Sequence, residues 1–171
     1  MNLLEMLKER AVMKGGFRLT SGRRSSYYID VKRAYTEPSI LEEIVRAVSV
    51  IVRKEGVDRV AGVPVGALPI VVGVSLKLSI PFLIVRKEKK SHGTGGRIEG
   101  TLQEGERVII IDDVATSGGS VFNAVDAIRK KKCICDKVIV VVDRCEGARE
   151  FLAGKEVELI SLATVYDLGI R

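Results

Sequence analysis

Apolar and polar positions fall along this chain in blocks, and the period inside each block predicts an element. Leu3 to Met13 has apolar residues at helical spacing with Glu5, Lys8, Glu9 and Arg10 between them, which predicts a helix that Gly15-Gly16 stops. Phe17 to Lys32, FRLTSGRRSSYYIDVK, alternates at both ends around a Ser-Gly turn and predicts a hairpin-like pair of strands. From Pro38 to Glu55 the stripe Ile40, Leu41, Ile44, Val45, Val48 and Val52 keeps a helical period, with Gly56 placed to end it. Val57 to Leu78 reads as strand, loop and helix, and Pro81 to Val85 as another strand. Val108 to Ile111 is a continuous aliphatic run, the signature of a strand buried on both faces of a parallel sheet. A helix from Val121 to Lys132 with a cationic last turn follows, then a strand from Asp136 to Asp143, a short helix near Ala148 to Leu152 and a strand near Glu158 to Leu162. Ala163 to Arg171 would extend or cap the sheet. This alternation predicts an α/β fold: a parallel central sheet with helices on both faces, its binding site at the carboxyl edge of the strands. Without repeats, linkers or low-complexity tails, residues 1–171 read as one domain.

The segment VIIIDDVATSGGS, Val108 to Ser120, carries the most chemistry. Asp112 and Asp113 stand where the aliphatic run ends, and Val114 and Ala115 lead into Thr116, Ser117, Gly118, Gly119 and Ser120 ahead of the helix. A turn of small hydroxyl and glycine residues at a helix N-terminus aims unpaired N–H groups and the positive end of the dipole at an anion. The spacing fits neither a Walker loop nor a dinucleotide loop. Two carboxylates beside a phosphate cup suit the hydroxyls of a phosphorylated sugar, and the implied ligand is a ribose 5-phosphate. The plainer alternative is an acidic strand end followed by a capping Ser or Thr.

Other stretches leave two readings open. Arg86 to Gly100, RKEKKSHGTGGRIEG, holds the chain's one histidine and no apolar residue before Ile98, as befits either a lid that closes on an anion or a solvated charge run. Arg23, Arg24, Tyr27 and Tyr28 could face a flat anionic heterocycle or form an exposed turn. Gly62 to Ala67 could cradle a ligand or merely turn the chain. Arg144, at a strand's carboxyl end, could hold a carboxylate in bidentate fashion or serve an ion pair.

Composition narrows the partners. The formal charge of +6 suits nucleic acid or a polyphosphate, but aromatics make up only 5% and Trp is absent, which disfavours a stacking platform for single strands. No nucleic-acid partner is expected. Seventeen uncharged residues separate Arg59 from Lys77, but Pro64, Pro69 and three glycines break them up, so no membrane span is expected. Cys133, Cys135 and Cys145 suit neither a disulfide framework nor a zinc site, and the N-terminal helix does not read as a secretory leader. A reducing cytoplasm is the expected compartment.

Val108 to Ser120 resembles the phosphoribosyl-pyrophosphate (PRPP) signature of the type I phosphoribosyltransferases, and two further segments resemble the orotate branch of that family. Phe17, Leu19, Ser21, Gly22, Arg23, Ser25 and Tyr27 fit a hood segment lying over the base, and R-K-E-x-K-x-HG-x-GG from Arg86 fits the catalytic loop. Asp143 to Glu146 is similar to a D-R-x-E turn whose Arg meets orotate's carboxylate. Thr20, Ile29 and Ser91 depart from the pattern, where Lys, a second aromatic and an acidic residue are common. The likeness runs from about Phe17 to Glu146. It implies a hood of about residues 1–35 and transfer of ribose 5-phosphate from PRPP to orotate. Asp112 and Asp113 would bind the ribose, Val114 to Ser120 the rest of the PRPP site, and Arg86, Lys87, Lys90 and His92 the diphosphate. Thr116, Tyr28 and Arg144 would hold orotate. The resemblance also implies Mg2+ held mainly through PRPP and water, with no direct protein ligand, and a homodimer whose loop reaches the neighbouring site. A purine or uracil phosphoribosyltransferase would share the PRPP segment, as would a PRPP-sensing regulator that binds RNA.

Overall fold

The computed structural model describes residues 2–18, 22, 24–87 and 96–170. Helix α1 (Leu3–Arg10) opens on a capping box in which the Asn2 side chain accepts from the Glu5 amide and the Glu5 carboxylate from the Asn2 amide. It stops at Arg10, short of Met13, and the two glycines expected to end it lie instead inside strand β1 (Val12–Arg18). Pairing overrides the helical pattern here, because Val12 and Met13 have ladder partners in β2 (Arg24–Ile29). Gly15 and Gly16 sit where the register shifts between Lys14 and Phe17, the usual use of glycine in a strand. The expected hairpin is thus present, and it begins earlier than the sequence pattern indicates.

Lys32, expected to close that hairpin, belongs to a one-turn helix α2 (Val31–Tyr35) capped by the Asp30 carboxylate, which accepts from the Arg33 amide. Helix α3 (Pro38–Glu55) has the expected bounds, with Gly56 left-handed at φ 59°. Then come β3 (Arg59–Gly62), α4 (Leu68–Leu78), β4 (Phe82–Val85) and β5 (Ile98–Glu99). They are followed by β6 (Val108–Ala115), α5 (Gly119–Arg129), β7 (Lys137–Asp143), α6 (Ala148–Ala153) and β8 (Glu158–Thr164).

The main sheet has the order β5-β4-β3-β6-β7-β8 and is parallel except for the edge strand β5, which pairs antiparallel with β4. Two expectations about the central segment need correction. Strand β6 runs on through Asp112 and Asp113 to Ala115, so the carboxylates lie inside the strand and not beyond its end. The partner strand extends it, pairing Asp112 with Val140 and Ala115 with Asp143. Helix α5 starts at Gly119 and ends at Arg129, because the following Lys130 to Lys132 turn brings Lys132 to φ 59°.

Side chains of the central strands alternate between two cores. Ile109, Ile111, Ile139 and Val141 pack with the layer of α1 to α4, while Val108, Ile110, Val138 and Val140 pack with α5 and α6. Burial on both faces is what the unbroken aliphatic runs require. The α3 and α4 helices approach closely at Gly73, where a β-carbon would lie 2.5 Å from Val45 Cγ2. Val45 is β-branched and stiff, so it cannot give way easily.

Gly73→Ala is therefore expected to destabilise the protein although alanine is the better helix former. Overpacking of about 1–3 kcal/mol outweighs a propensity gain of about 1 kcal/mol. Denaturant unfolding should show the loss, and adding Val45→Ala should remove the clash and recover part of it.

Candidate active site

The chain passes from β3 outward to β4 and β5, then returns to lay β6 on the other side of β3. The strand order reverses at that point, and the loops after β3 and β6 must diverge there, opening a crevice at the carboxyl edge. Loops after β3, β6 and β7 meet at it. The β1–β2 hairpin covers one side, enclosing a cavity of about 860 Å³ lined by Phe17, Tyr28, Lys32, Asp113, Thr116 and Arg144, among others.

Asp112 and Asp113 are neighbours on a strand, so their side chains leave on opposite faces. Both are buried. Asp112 Oδ1 accepts from the Asp113 amide at 2.9 Å, and Asp113 Oδ1 from the Val114 amide at 3.0 Å. Burial, reinforced by the charge of Asp113, pushes the Asp112 carboxyl up to about 8. Asp113 faces the hairpin side, where Lys32 Nζ donates to its Oδ2 at 3.2 Å. Burial works against the Lys32 charge, but attraction and hydrogen bonding from Asp113 outweigh it and hold the ammonium above the ordinary lysine value. The backbone of Gly66, from the loop after β3, lies against the same carboxylate, and a β-carbon there would collide with it. The Tyr35 hydroxyl donates to the Gly66 carbonyl at 3.0 Å and fixes the loop from the other side.

The cup after β6 is open. Thr116, Ser117 and Ser120 are exposed, and no side chain caps the N-terminus of α5. Gly118 holds the N-cap position at φ 84°, where a β-carbon would also press on Phe151 and Ala148. The first amides of an 11-residue helix consequently face the crevice without side-chain partners.

Arg144 follows β7, its amide donating to the Ala115 carbonyl at 3.0 Å, so it is tied to the end of β6. Its guanidinium is only 7% exposed; Nη2 pairs with Glu146 Oε1 at 2.7 Å, and among the described residues buried Nε has no hydrogen-bond partner. The Tyr27 ring lies 5.5 Å from its Cζ. A buried cation with an unused donor is costly to leave unsatisfied, so it suits a carboxylate delivered by a ligand. Tyr28 points the other way from Tyr27, 37% exposed and stacked loosely on Phe17 at 5.7 Å.

Of the cationic loop, Arg86 and Lys87 are described, while Lys90, Ser91 and His92 lie outside the described residues, as do Leu19, Thr20, Ser21 and Arg23 of the hairpin turn. The loop's base is pinned by β5. The Arg86 amide donates to the Arg97 carbonyl at 2.7 Å, Arg97 Nε returns to the Arg86 carbonyl at 3.0 Å, and Arg86 Nη1 meets Glu99 at 3.3 Å. Lys87 borders a second hollow of about 260 Å³ with Pro64, Gly66, Asp112 and Ser120. The site therefore gathers Asp112, Asp113, Val114 to Ser120, Tyr28, Lys87 and Arg144. Sequence reasoning missed Lys32 and Tyr35, and it placed Tyr27 in the hood without its contact to Arg144. Asp30 ahead of VKRAY, a capping residue before a short helical stretch, was the signal that could have placed Lys32 and Tyr35.

Comparison with known proteins identifies relatives of the chain and of its fold. A family model described as a phosphoribosyl transferase domain matches residues 30–158. The orotate phosphoribosyltransferase of Methanocaldococcus jannaschii is 48% identical over 97% of this chain and 94% of its own. The crystal structure of orotate phosphoribosyltransferase from Aeropyrum pernix superposes with a TM-score of 0.83 at 37% identity, covering 97% of this chain and 95% of that one. A Mycobacterium tuberculosis orotate phosphoribosyltransferase in complex with PRPP superposes at 0.80 with 28% identity, over 98% of this chain and 97% of that one.

The raised Asp112 value has a measurable consequence for the ligand-free protein. Its native value lies above the unfolded carboxylate's value of about 3.9. Its contribution to stability is therefore complete below that pH and lost as pH rises toward about 8. Thermal midpoints of Asp112→Asn should gain on the wild type across this interval and keep a constant lead above it. A gap that does not change with pH would mean the carboxyl is ionised throughout.

Proposed function

The chain belongs to the phosphoribosyltransferase family, on its orotate branch, and we propose that its crevice transfers ribose 5-phosphate from PRPP to N1 of orotate. The products are orotidine 5′-monophosphate and diphosphate, a step of pyrimidine nucleotide synthesis. One observation carries the assignment of the site: a single cavity brings Asp113 and the Thr116–Ser117 cup together with a buried arginine that has a donor to spare.

In this reading Thr116 to Ser120 bind the 5′-phosphate through amides and hydroxyls, with Val114 and Ala115 shaping the approach. Asp112 and Asp113 accept from the ribose hydroxyls and stabilise positive charge as the sugar carbon loses its leaving group. Arg144 and Thr116 hold orotate, with Tyr28 against its face. Arg86, Lys87, Lys90 and His92 take the charge that accumulates on the departing diphosphate. Positioning and electrostatics supply most of the acceleration, since charge separation is the costly event. The donor set fits Mg2+ in one way. Asp112 and Asp113 put hard oxygen donors on one hollow, and an ion beside them would draw its ligands mainly from substrate and water oxygens. Bound so, magnesium would supply neutralisation of the diphosphate charge.

The same reading makes the chain one domain, residues 1–171, with a hood of about residues 1–35 over the base. It also makes the working form a homodimer with the catalytic loop shared between sites. Val72 and Leu76 of α4, 37% and 77% exposed, together with Phe82 at 37%, offer an apolar face that supports this. No described helix is long and apolar enough to cross a membrane, and the three cysteines are free. We assign the enzyme to the cytoplasm, with no nucleic-acid partner.

Given PRPP and magnesium, the protein should convert orotate and leave uracil and the purine bases untouched. Arg144→Ala should lower kcat/KM for orotate by the equivalent of about 2–5 kcal/mol, the range for removing one partner of a buried charge pair. Turnover of uracil at a comparable rate would reassign the substrate. For the shared site, Lys90→Ala and Asp113→Asn proteins, each impaired alone, should regain activity when mixed and allowed to exchange subunits. No regain after verified exchange would place each site within one chain.

A further inference from the structure

Helix α2 has no role in the function proposed so far, yet Lys32 lines the crevice and Tyr35 holds the loop beside it. Val31, Ala34 and Tyr35 are buried and anchor the turn, so its placement is set by the core. Lys32 and Tyr35, three positions apart, share a face. Tyr35 reaches the Gly66 carbonyl and Lys32 the Asp113 carboxylate. Lys32, Asp113 and Val114 are also the residues common to the linings of the 860 Å³ cavity and the 260 Å³ hollow. The first is lined by Arg144, Thr116 and Tyr28, which the reading above gives to orotate, and the second by Lys87, which it gives to the diphosphate. The ammonium thus stands at the boundary where the bond between sugar and diphosphate breaks.

The hydrogen bonds of Asp113 show what must change on binding. Its Oδ1 is taken by the Val114 amide and its Oδ2 by Lys32. A ribose hydroxyl that is to be gripped by Asp113 must share or displace the ammonium. The lysine end of the pair is free to move. The Lys32 side chain is 48% exposed, and Asp30 Oδ1 lies 3.7 Å from the same nitrogen. The flexible four-carbon stem can redirect its head group, and an arriving hydroxyl satisfies the buried carboxylate in its place.

We propose that Lys32 is a further binding residue for PRPP: it holds Asp113 in the ligand-free crevice, yields that carboxylate to a ribose hydroxyl, and turns its ammonium onto the diphosphate. The inference rests on the phosphoribosyltransferase reading and extends it to a residue on the hairpin side of the site. It gives α2 a function, since Tyr35 fixes the Gly66 loop while Lys32 completes the charge around the same hollow.

Lys32→Met, Lys32→Arg and wild type should be compared by calorimetry with PRPP and magnesium and by steady-state kinetics, with thermal midpoints as the control for folding. Lys32→Met should weaken PRPP binding and raise KM for PRPP by on the order of tenfold, the effect of about 1.4 kcal/mol. KM for orotate should stay within about twofold, and Lys32→Arg should recover most of the loss. A Met variant with altered midpoint but unchanged PRPP affinity makes Lys32 a structural anchor and overturns the proposal. Wild type that binds PRPP without converting orotate would remove the orotate reading, while the binding comparison still decides Lys32. Wild type that fails to bind PRPP would remove both.

Discussion

Two adjacent carboxylates inside a strand buried on both faces are the constraint around which the molecule is arranged. A desolvated carboxylate is costly unless something satisfies it. Here each takes one backbone amide, Asp113 takes an ammonium, and Asp112 is pushed up to about 8. Asp113 lines the larger cavity, and both carboxylates line the smaller hollow. The neighbours follow from the same requirement. Residue 66 must be glycine for the loop after β3 to pass the carboxylate, and α2 must sit where a lysine can reach it.

The two ends of the sheet show how selectively polar groups are left open. At the amino edge nearly every charge is matched: Arg59 grips Glu106 in bidentate fashion at 2.6 and 2.7 Å. Arg129 donates to three carbonyls of the turns below, and Lys137 bridges Glu55 and Glu158. At the carboxyl edge the α5 amides lack a cap and Arg144 Nε lacks a partner among the described residues. One edge closes the fold, and the other keeps its unsatisfied groups for a ligand. The topological switch between β3 and β6 puts the open groups in one place.

Much of the site was legible because it depends on short-range order. A buried strand followed by hydroxyls and glycines at a helix start is a local pattern, and Asp112 through Ser120 need no distant partner to be recognised. Arg144 could be placed at an edge because its strand is a plain aliphatic run. The N-terminal region was harder. Helical spacing continued through Met13, yet strand pairing with Tyr28 and Ile29 took that stretch, since ladder hydrogen bonds are a tertiary gain that propensity does not register. Lys32 read as the end of a hairpin for the same reason.

From residue order alone came the layered α/β plan, the long α3 with its glycine stop, the phosphate cup and the family resemblance. All of these follow from periodicity and from residue types a few positions apart. Only the folded chain decided that Asp112 and Asp113 sit within the strand, that Tyr27 rather than Tyr28 lies over Arg144, and that Lys32 and Tyr35 reach across to Asp113 and Gly66. Those contacts join residues tens of positions apart. Their energies depend on distance and burial, which no local pattern of side chains encodes.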